Sequence, residues 1–243
     1  MPNLLANWNA PPTVHALCTT RHGGLSLPPY DNNLALHVSD NQAHVLLNRQ
    51  ALKIQLNLTK EPEWLNQTHS HRVVVVEDSA SRHADASVTR EPNRPLCILT
   101  ADCLPVLLCN QSGTEVAAIH AGWRGLADHI IEQTLEKMQS TPDTLMAWIG
   151  PAICSTCYPI GEELYGTFST RYPFTIPTFS IKDTHRHADL PKMAELILHQ
   201  AGVPQVFQSG VCSFEAEKTY YSYRRAAKTG RMGTLIWFDD KVD

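Results

Sequence analysis

Residues 95–126 read PLCILTADCLPVLLCNQSGTEVAAIHAGWRGL. Two apolar runs, Leu96–Leu99 and Leu104–Cys109, are interrupted by Thr100-Ala101-Asp102-Cys103. A third run, Val116–Ile119, ends at His120 and leads at once into Gly122-Trp123-Arg124-Gly125. Short apolar runs bounded by polar turns read as buried strands. A thiol and an imidazole therefore each stand where a strand stops. In a sheet-based fold that is the mouth of the crevice, where sites are built.

Working downstream, Ala127, Ile131, Leu135 and Met138 have helical spacing, which predicts one amphipathic helix over 126–138. A strand at 145–149 follows, so 116–149 forms a βαβ-like unit. The turn at 122–126 would then offer backbone N–H groups to an anion at a helix N-terminus. Beyond Gly150-Pro151 comes Cys154-x-x-Cys157, which suits a redox pair, half a zinc site or two incidental thiols. No second Cys-x-x-Cys completes a four-cysteine site, so incidental thiols are the plain expectation. Residues 168–188 look irregular, with His185-Arg186-His187 on a polar tract. A helix is expected over 189–200 with Asp189 as N-cap, then strands at 206–212 and 233–238.

Upstream, a strand at 13–19 ends in Thr20-Arg21-His22-Gly23-Gly24, where an arginine fork could meet a carboxylate or phosphate. A helix is expected over 42–56, and Pro62 breaks the chain after it. Gln67-Thr68-His69-Ser70-His71 precedes Val73–Val76, which reads as a strand buried on both faces. A further short strand is expected at 84–89. No repeat or linker divides the chain, which predicts a single domain over residues 1–243 with a mixed sheet and helices packed on it.

The 243 residues are enough for a sizeable core, and a hydrophobic content of 43% is ordinary for a globular chain. A net charge of -4 gives no field favouring nucleic acid or an anionic membrane. No apolar run approaches the roughly 20 residues of a membrane-spanning helix. The N-terminal stretch MPNLLANWNAPPT lacks secretory-signal character, which predicts a cytoplasmic, reducing setting and free thiols. Seven cysteines at irregular spacing fit that expectation, and twelve histidines are a generous supply of neutral ligands.

His69, Cys103 and His120 all sit at strand ends. Two imidazoles and a thiolate suit a three-ligand zinc site with an open fourth position. The same atoms without metal suit a Cys103 nucleophile with His120 as base and an oxyanion turn at 122–126. A third reading is structural, with a buried thiol and a strand-end histidine. Asp102 could orient a ligand or handle a proton.

Thr100-Ala101-Asp102-Cys103-Leu104-Pro105 followed by His120-Ala121-Gly122-Trp123-Arg124-Gly125 resembles the YfiH family. That family is also called the polyphenol oxidase or laccase-domain family, and its members purine nucleoside phosphorylases or peptidoglycan editing factors. Further motifs follow in the family's order: Thr20-Arg21-x-Gly23-Gly24-x-Ser26, Asn33-Leu34-x-Leu36-His37-Val38, Gln67-x-His69 and Ala84-Asp85-Ala86. Gly150-Pro151-Ala152-Ile153, Cys157-Tyr158, Gly161, Tyr221-Ser222-Tyr223-Arg224-Arg225 and Thr229-Gly230-Arg231 complete the match. The chain departs from the pattern at Ser70-His71, Pro159 and Ala226.

The resemblance implies a three-layer α/β/α sandwich, shared with certain cysteine-dependent deamidase toxins. It implies zinc on His69, Cys103 and His120, with copper as the alternative metal. It implies phosphorolysis of adenosine, inosine and 5′-methylthioadenosine, with adenosine deamination beside it. Asp102 and Cys103 are then the catalytic candidates. Arg21, Asn33, Gln67, Arg225 and Arg231, each in a matched motif, are the phosphate- and substrate-binding candidates. Arg124 could instead pair with a carboxylate. The competing readings are an amidase that edits a UDP-muramoyl-peptide precursor and a copper polyphenol oxidase. The latter needs many more histidine ligands than this trio offers. His69 tips the choice at Cys103 from nucleophile towards ligand.

Overall fold

The computed structural model describes residues 3–240. Among them, the N-terminal half contains strands β1 (Leu4–Leu5), β2 (Val14–Cys18), β3 (Glu63–Trp64), β4 (Val73–Val75), β5 (Ala86–Thr89), β6 (Leu96–Thr100), β7 (Leu104–Asn110) and β8 (Val116–Ala121). The C-terminal half adds β9 (Leu145–Ile149), β10 (Pro159–Ile160), β11 (Phe179–Lys182), β12 (His185–Ala188), β13 (Gln205–Gln208) and β14 (Met232–Phe238). The α-helices are α1 (Gln42–Gln55), α2 (Trp123–Ala127), α3 (Ile130–Lys137), α4 (Glu162–Arg171) and α5 (Leu190–Gln200).

The strands form two large mixed sheets and one small antiparallel one. The first runs β1-β2-β14-β6-β3, with only the β3–β6 pair parallel. The second runs β13-β9-β7-β8-β5-β4, with parallel pairs at its two ends. The third is β10-β12-β11. The C-terminal β14 lies between β2 and β6, so both ends of the chain are woven into one sheet.

The mixed α/β class holds, and the β layer of the sandwich proves to be two sheets thick. The period-two side-chain alternation of β7 shows why. Leu107 and Cys109 enter a core with Ile98, Ala118 and Ile236 between the two large sheets. Leu104, Val106 and Leu108 enter the opposite core, against Leu126, Ile131, Phe168 and Ile197 on the helices. A third core joins Leu17, Leu99, Leu235 and Trp237 to Leu52 of α1 on the far side of the first sheet. A strand buried on both faces needs apolar residues at nearly every position, hence the uninterrupted runs. Truncating fully buried Leu107 to alanine would cost about 2–5 kcal/mol.

Local signals explain most termini. Asn41 caps α1 by accepting from Ala43 N, and Asp189 caps α5 by accepting from Lys192 N at 2.9 Å. The β7–β8 hairpin turns at Gly113, whose φ of +66° and tight fit against Thr13 exclude a side chain.

Four expectations are corrected. The single helix over 126–138 is two, α2 and α3, broken at His129 with φ 68°. Arg171 donates to the freed Ala127 carbonyl at 2.8 Å, and the Tyr172 hydroxyl meets His129 Nδ1 at 2.7 Å. Residues 168–188 are not irregular: α4 ends in them and β11–β12 form a hairpin. Its turn, Asp183-Thr184, takes positive φ at both residues without a glycine to announce it. The strand expected at 206–212 stops at Gln208, before Gly210 at φ 68°. Finally, Val73 and Val75 of β4 are only half-buried. No helix among the described residues is long and apolar enough to cross a membrane.

Candidate functional site

Three chain segments meet at one end of the second sheet. Cys103 lies in the tight link between β6 and β7, just after Asp102, which has φ 95°. His120 is in β8, opposite Pro105 of β7. His69 precedes β4 in a loop and takes the left-handed conformation, φ 61°. The ligand atoms of His69, Cys103 and His120 all lie within 4.8 Å of one another. Cys103 Sγ is 3.8 Å from His69 Nε2, and the two imidazole rings stand edge to face at 4.8 Å.

Asp85 organises this trio from behind. Its buried carboxylate accepts from the backbone N–H groups of Thr68, His69 and Ser70 at 3.1, 3.0 and 2.7 Å. It also accepts from Ser70 Oγ at 2.7 Å and faces His120 Nδ1 at 2.8 Å. One carboxylate thus folds the His69 loop into its left-handed turn and fixes the His120 ring. With Nδ1 donating to Asp85, Nε2 of His120 is left as the free donor to a metal. Gly122, the N-cap of α2, sits against the trio: a Cβ there would lie 2.9 Å from His69 Cδ2 and 3.2 Å from Cys103 Sγ.

The electrostatics follow from these contacts. Burial works against ionisation of Asp85, but hydrogen bonds from His120 and Ser70 override it and bring the carboxyl down to about 2. Burial likewise opposes the Cys103 thiolate, yet hydrogen bonds from His120 and His69 bring the thiol down to about 6. Burial would lower His120, but Asp85 and Cys103 raise it to about 9. At neutral pH, without a metal, a Cys103 thiolate therefore stands beside a His120 imidazolium. This donor set can hold a metal ion.

The trio forms the floor of a cleft of about 490 Å³. Three arginines line it, each over an aromatic ring. Arg124 lies over Trp123 at 4.4 Å, Arg224 over Tyr158 at 4.9 Å and Arg231 over Tyr223 at 5.8 Å. His37 also lines the cleft; burial first, then the Arg231 charge, lower its pKa and keep it neutral.

A family model described as multi-copper polyphenol oxidoreductase laccase matches residues 15–239. Purine nucleoside phosphorylase YfiH of Escherichia coli K12 is 40% identical over 237 residues, 96% of this chain and 98% of that one. The chain belongs to the laccase-like YfiH family. This YfiH-family chain is also 40% identical to the Haemophilus influenzae purine nucleoside phosphorylase, over 96% of its own length and 98% of the relative's. Its fold matches the crystal structure of a Neisseria meningitidis protein at a TM-score of 0.94 and 40% identity, over 99% of this chain and 100% of that one. A Bacillus licheniformis YfiH structure, 30% identical, matches at 0.85 over 93% of each chain.

Several site expectations for the YfiH-family chain need correction. Arg21 lies outside the cleft, where its Nε and Nη2 grip Asp31 at 3.0 and 2.6 Å. Arg225 turns away too, donating to the carbonyls of Ser213, Phe214 and Tyr220. Asn33 is fully buried, bonded to Ala35, Asp40 and the Arg231 N–H, so it cannot meet a substrate. Gln67 lines the cleft, but its amide is bonded both ways to the Leu99 backbone, at 2.9 and 2.8 Å. Asp102 also lines the cleft, with its carboxylate held by three donors. Ser213 Oγ, Ser222 Oγ and Arg224 N all donate to its carboxylate, at 2.7, 2.9 and 2.7 Å. It anchors the 213–224 segment beside the cleft. At the turn 122–126, the side chains of His69 and Cys103 pack against Gly122.

Arg231 does reach the cleft, steadied by the Thr229 and Gly230 carbonyls through Nη1. Asp85, His37 and Arg224 are the important residues that spacing did not single out. All three stood inside the matched motifs, which was the available signal.

Proposed function

We propose that the cleft carries out phosphorolysis of purine nucleosides, adenosine, inosine and 5′-methylthioadenosine among them, with zinc at the trio and adenosine deamination as a side reaction. The observation that carries this reading is the convergence of His69, Cys103 and His120 on the floor of a cleft lined by Arg124, Arg224 and Arg231. Relatives named purine nucleoside phosphorylase support it.

Zinc held by His69, Cys103 and His120 would supply Lewis acidity at an open fourth position. Asp85 holds the His120 imidazole directly and the His69 loop through its backbone N–H. Inorganic phosphate is a dianion, and guanidinium forks suit it. Arg231 has one nitrogen tied to carbonyls, which leaves its Nη2 and Nε for phosphate; Arg124 supplies further positive charge. A phosphate oxygen then attacks the anomeric carbon of the ribose, and the bond to the purine nitrogen breaks with its electron pair leaving on the base. Tyr158, Tyr223 and Trp123 line the cleft and give it aromatic surface suited to a planar purine. A cleft of about 490 Å³ falls within the usual range for a small-molecule site.

The laccase reading gains nothing from the geometry. Among the described residues only two side-chain clusters suit a metal, and the second contains no histidine. Multicopper oxidation needs far more imidazole than that. The reading places the protein in a reducing compartment, where its seven thiols stay unpaired.

A nucleoside panel on metal-quantified protein, with and without phosphate, tests the proposal. Inosine should give hypoxanthine and a sugar phosphate only when phosphate is added. Phosphate-independent release of the base would mean a hydrolase. Cys103→Ala should lose both metal from the trio and turnover.

A further inference from the structure

The Cys-x-x-Cys at 154–157 does not stand alone. Cys212 and Glu215, far away in sequence, complete it: one ligand atom from each of Cys154, Cys157, Cys212 and Glu215 lies within 4.8 Å of all the others. We propose that these four residues form a second metal site, a closed tetrahedral zinc centre with three thiolates and one carboxylate.

The distances fit. Zinc–sulfur bonds of about 2.3 Å place tetrahedral sulfur atoms about 3.8 Å apart. With a zinc–oxygen bond of about 2.0 Å, the sulfur-to-oxygen edge is about 3.5 Å. Cys157 Sγ stands 3.5 Å from Glu215 Oε1. The Cys154 N–H donates to Cys212 Sγ at 3.4 Å, the kind of backbone bond that steadies a thiolate ligand. The Ser155–Cys157 helical turn brings the first two thiols to one side. A bridge between Ala152 and Cys212 brings the two chain segments together. A redox disulfide would engage two of these sulfurs and would leave the third thiol and the carboxylate without a purpose. All four ligand positions are protein atoms, which marks a structural centre rather than a catalytic one.

Its place in the fold gives it a task. The first segment leads into Tyr158, on the cleft wall, and its Ile153 N–H bonds the Asp102 carbonyl at 3.0 Å. The second segment contains Ser213, which bonds the Asp102 carboxylate. Zinc here ties together the two stretches that hold the Asp102 link, next to Cys103.

The test is metal counting on the full chain, purified under reducing conditions without chelator. Cys103→Ala, which disables the trio, should retain about one zinc per chain. X-ray absorption on that protein should show a shell of mostly sulfur, with no imidazole. Adding Cys157→Ser should bring the zinc to near zero. Glu215→Gln in the Cys103→Ala background, a conservative change at an exposed position, should keep the fold by circular dichroism and yield its zinc faster to a chelator. A zinc-free Cys103→Ala protein would overturn the proposal, as would unchanged zinc release from the Glu215 variant. A disulfide between any two of Cys154, Cys157 and Cys212 in the reduced preparation would also overturn it. Equal zinc, near one per chain, in wild type and Cys103→Ala would uphold this centre while counting against zinc at the trio, so the two readings fail separately.

Discussion

The Asp85 carboxylate meets His120 Nδ1 at 2.8 Å and, through the same oxygen, accepts the His69 backbone N–H at 3.0 Å. A single buried atom therefore positions both histidines of the trio. Asp85→Asn keeps the shape but turns an acceptor into a donor facing N–H groups. Trio metal affinity should fall about 10- to 100-fold, as for other carboxylates behind metal-bound histidines. Unpaired N–H groups should also cost about 1–3 kcal/mol of stability. Metal competition and urea unfolding measure the two effects separately.

Metal uptake by the trio should release protons. In metal-free protein His120 is raised to about 9 and Cys103 lowered to about 6. Between those values the thiolate is already formed, and the imidazolium must lose its proton to bind. About one proton should leave per metal near pH 7.5, so affinity should rise with pH until about 9. Below pH 6 the thiol proton must leave too, and affinity should fall more steeply. Calorimetry in two buffers of different ionisation enthalpy counts the protons, and a pH-independent affinity would contradict this charge state.

Arg231 and Arg21 should behave differently when altered. Arg231→Ala removes a cleft guanidinium and should raise the phosphate KM or lower kcat/KM about ten- to a hundredfold, the worth of a charged hydrogen bond. Arg21→Met breaks the Asp31 contacts and should cost about 1–3 kcal/mol of stability with the phosphate KM unchanged. Steady-state kinetics at varied phosphate, with thermal unfolding of both variants, decides the matter.

Glu115 should contribute to acid sensitivity. It is 2% exposed and accepts from Gln139 N, Ser140 N and Arg90 Nη1. Burial opposes its charge, but those bonds prevail and its pKa is lowered. A lowered folded pKa means stability present above the unfolded value of about 4.3 and lost as pH falls through the folded one. Glu115→Gln should therefore be about 1–3 kcal/mol less stable at neutral pH, with the gap closing in acid. Urea unfolding at a series of pH values reads that gap.

Strands β7 and β8 were legible because both faces of each are buried, which demands an unbroken apolar run. The break between α2 and α3 was not, because it depends on Arg171 and Tyr172 reaching His129 and Ala127 from 43 and 44 residues away. The β11–β12 hairpin was missed because Asp183-Thr184 adopts a turn that usually advertises itself with glycine. Asn33 and Arg21 stand in matched motifs but do not themselves line the cleft.

Adjacent arginines show the division most plainly. Arg224 lines the cleft, while Arg225 points back into the carbonyls of its own loop. Composition and local pattern determined the chemistry available: apolar strands, thiols and imidazoles at their ends, arginines in turns. Those are properties of neighbours along the chain. Which donors converge is a property of packing between segments far apart in sequence. Only the folded sheets could bring His69 to Cys103 and His120, and Cys212 and Glu215 to the Cys-x-x-Cys turn.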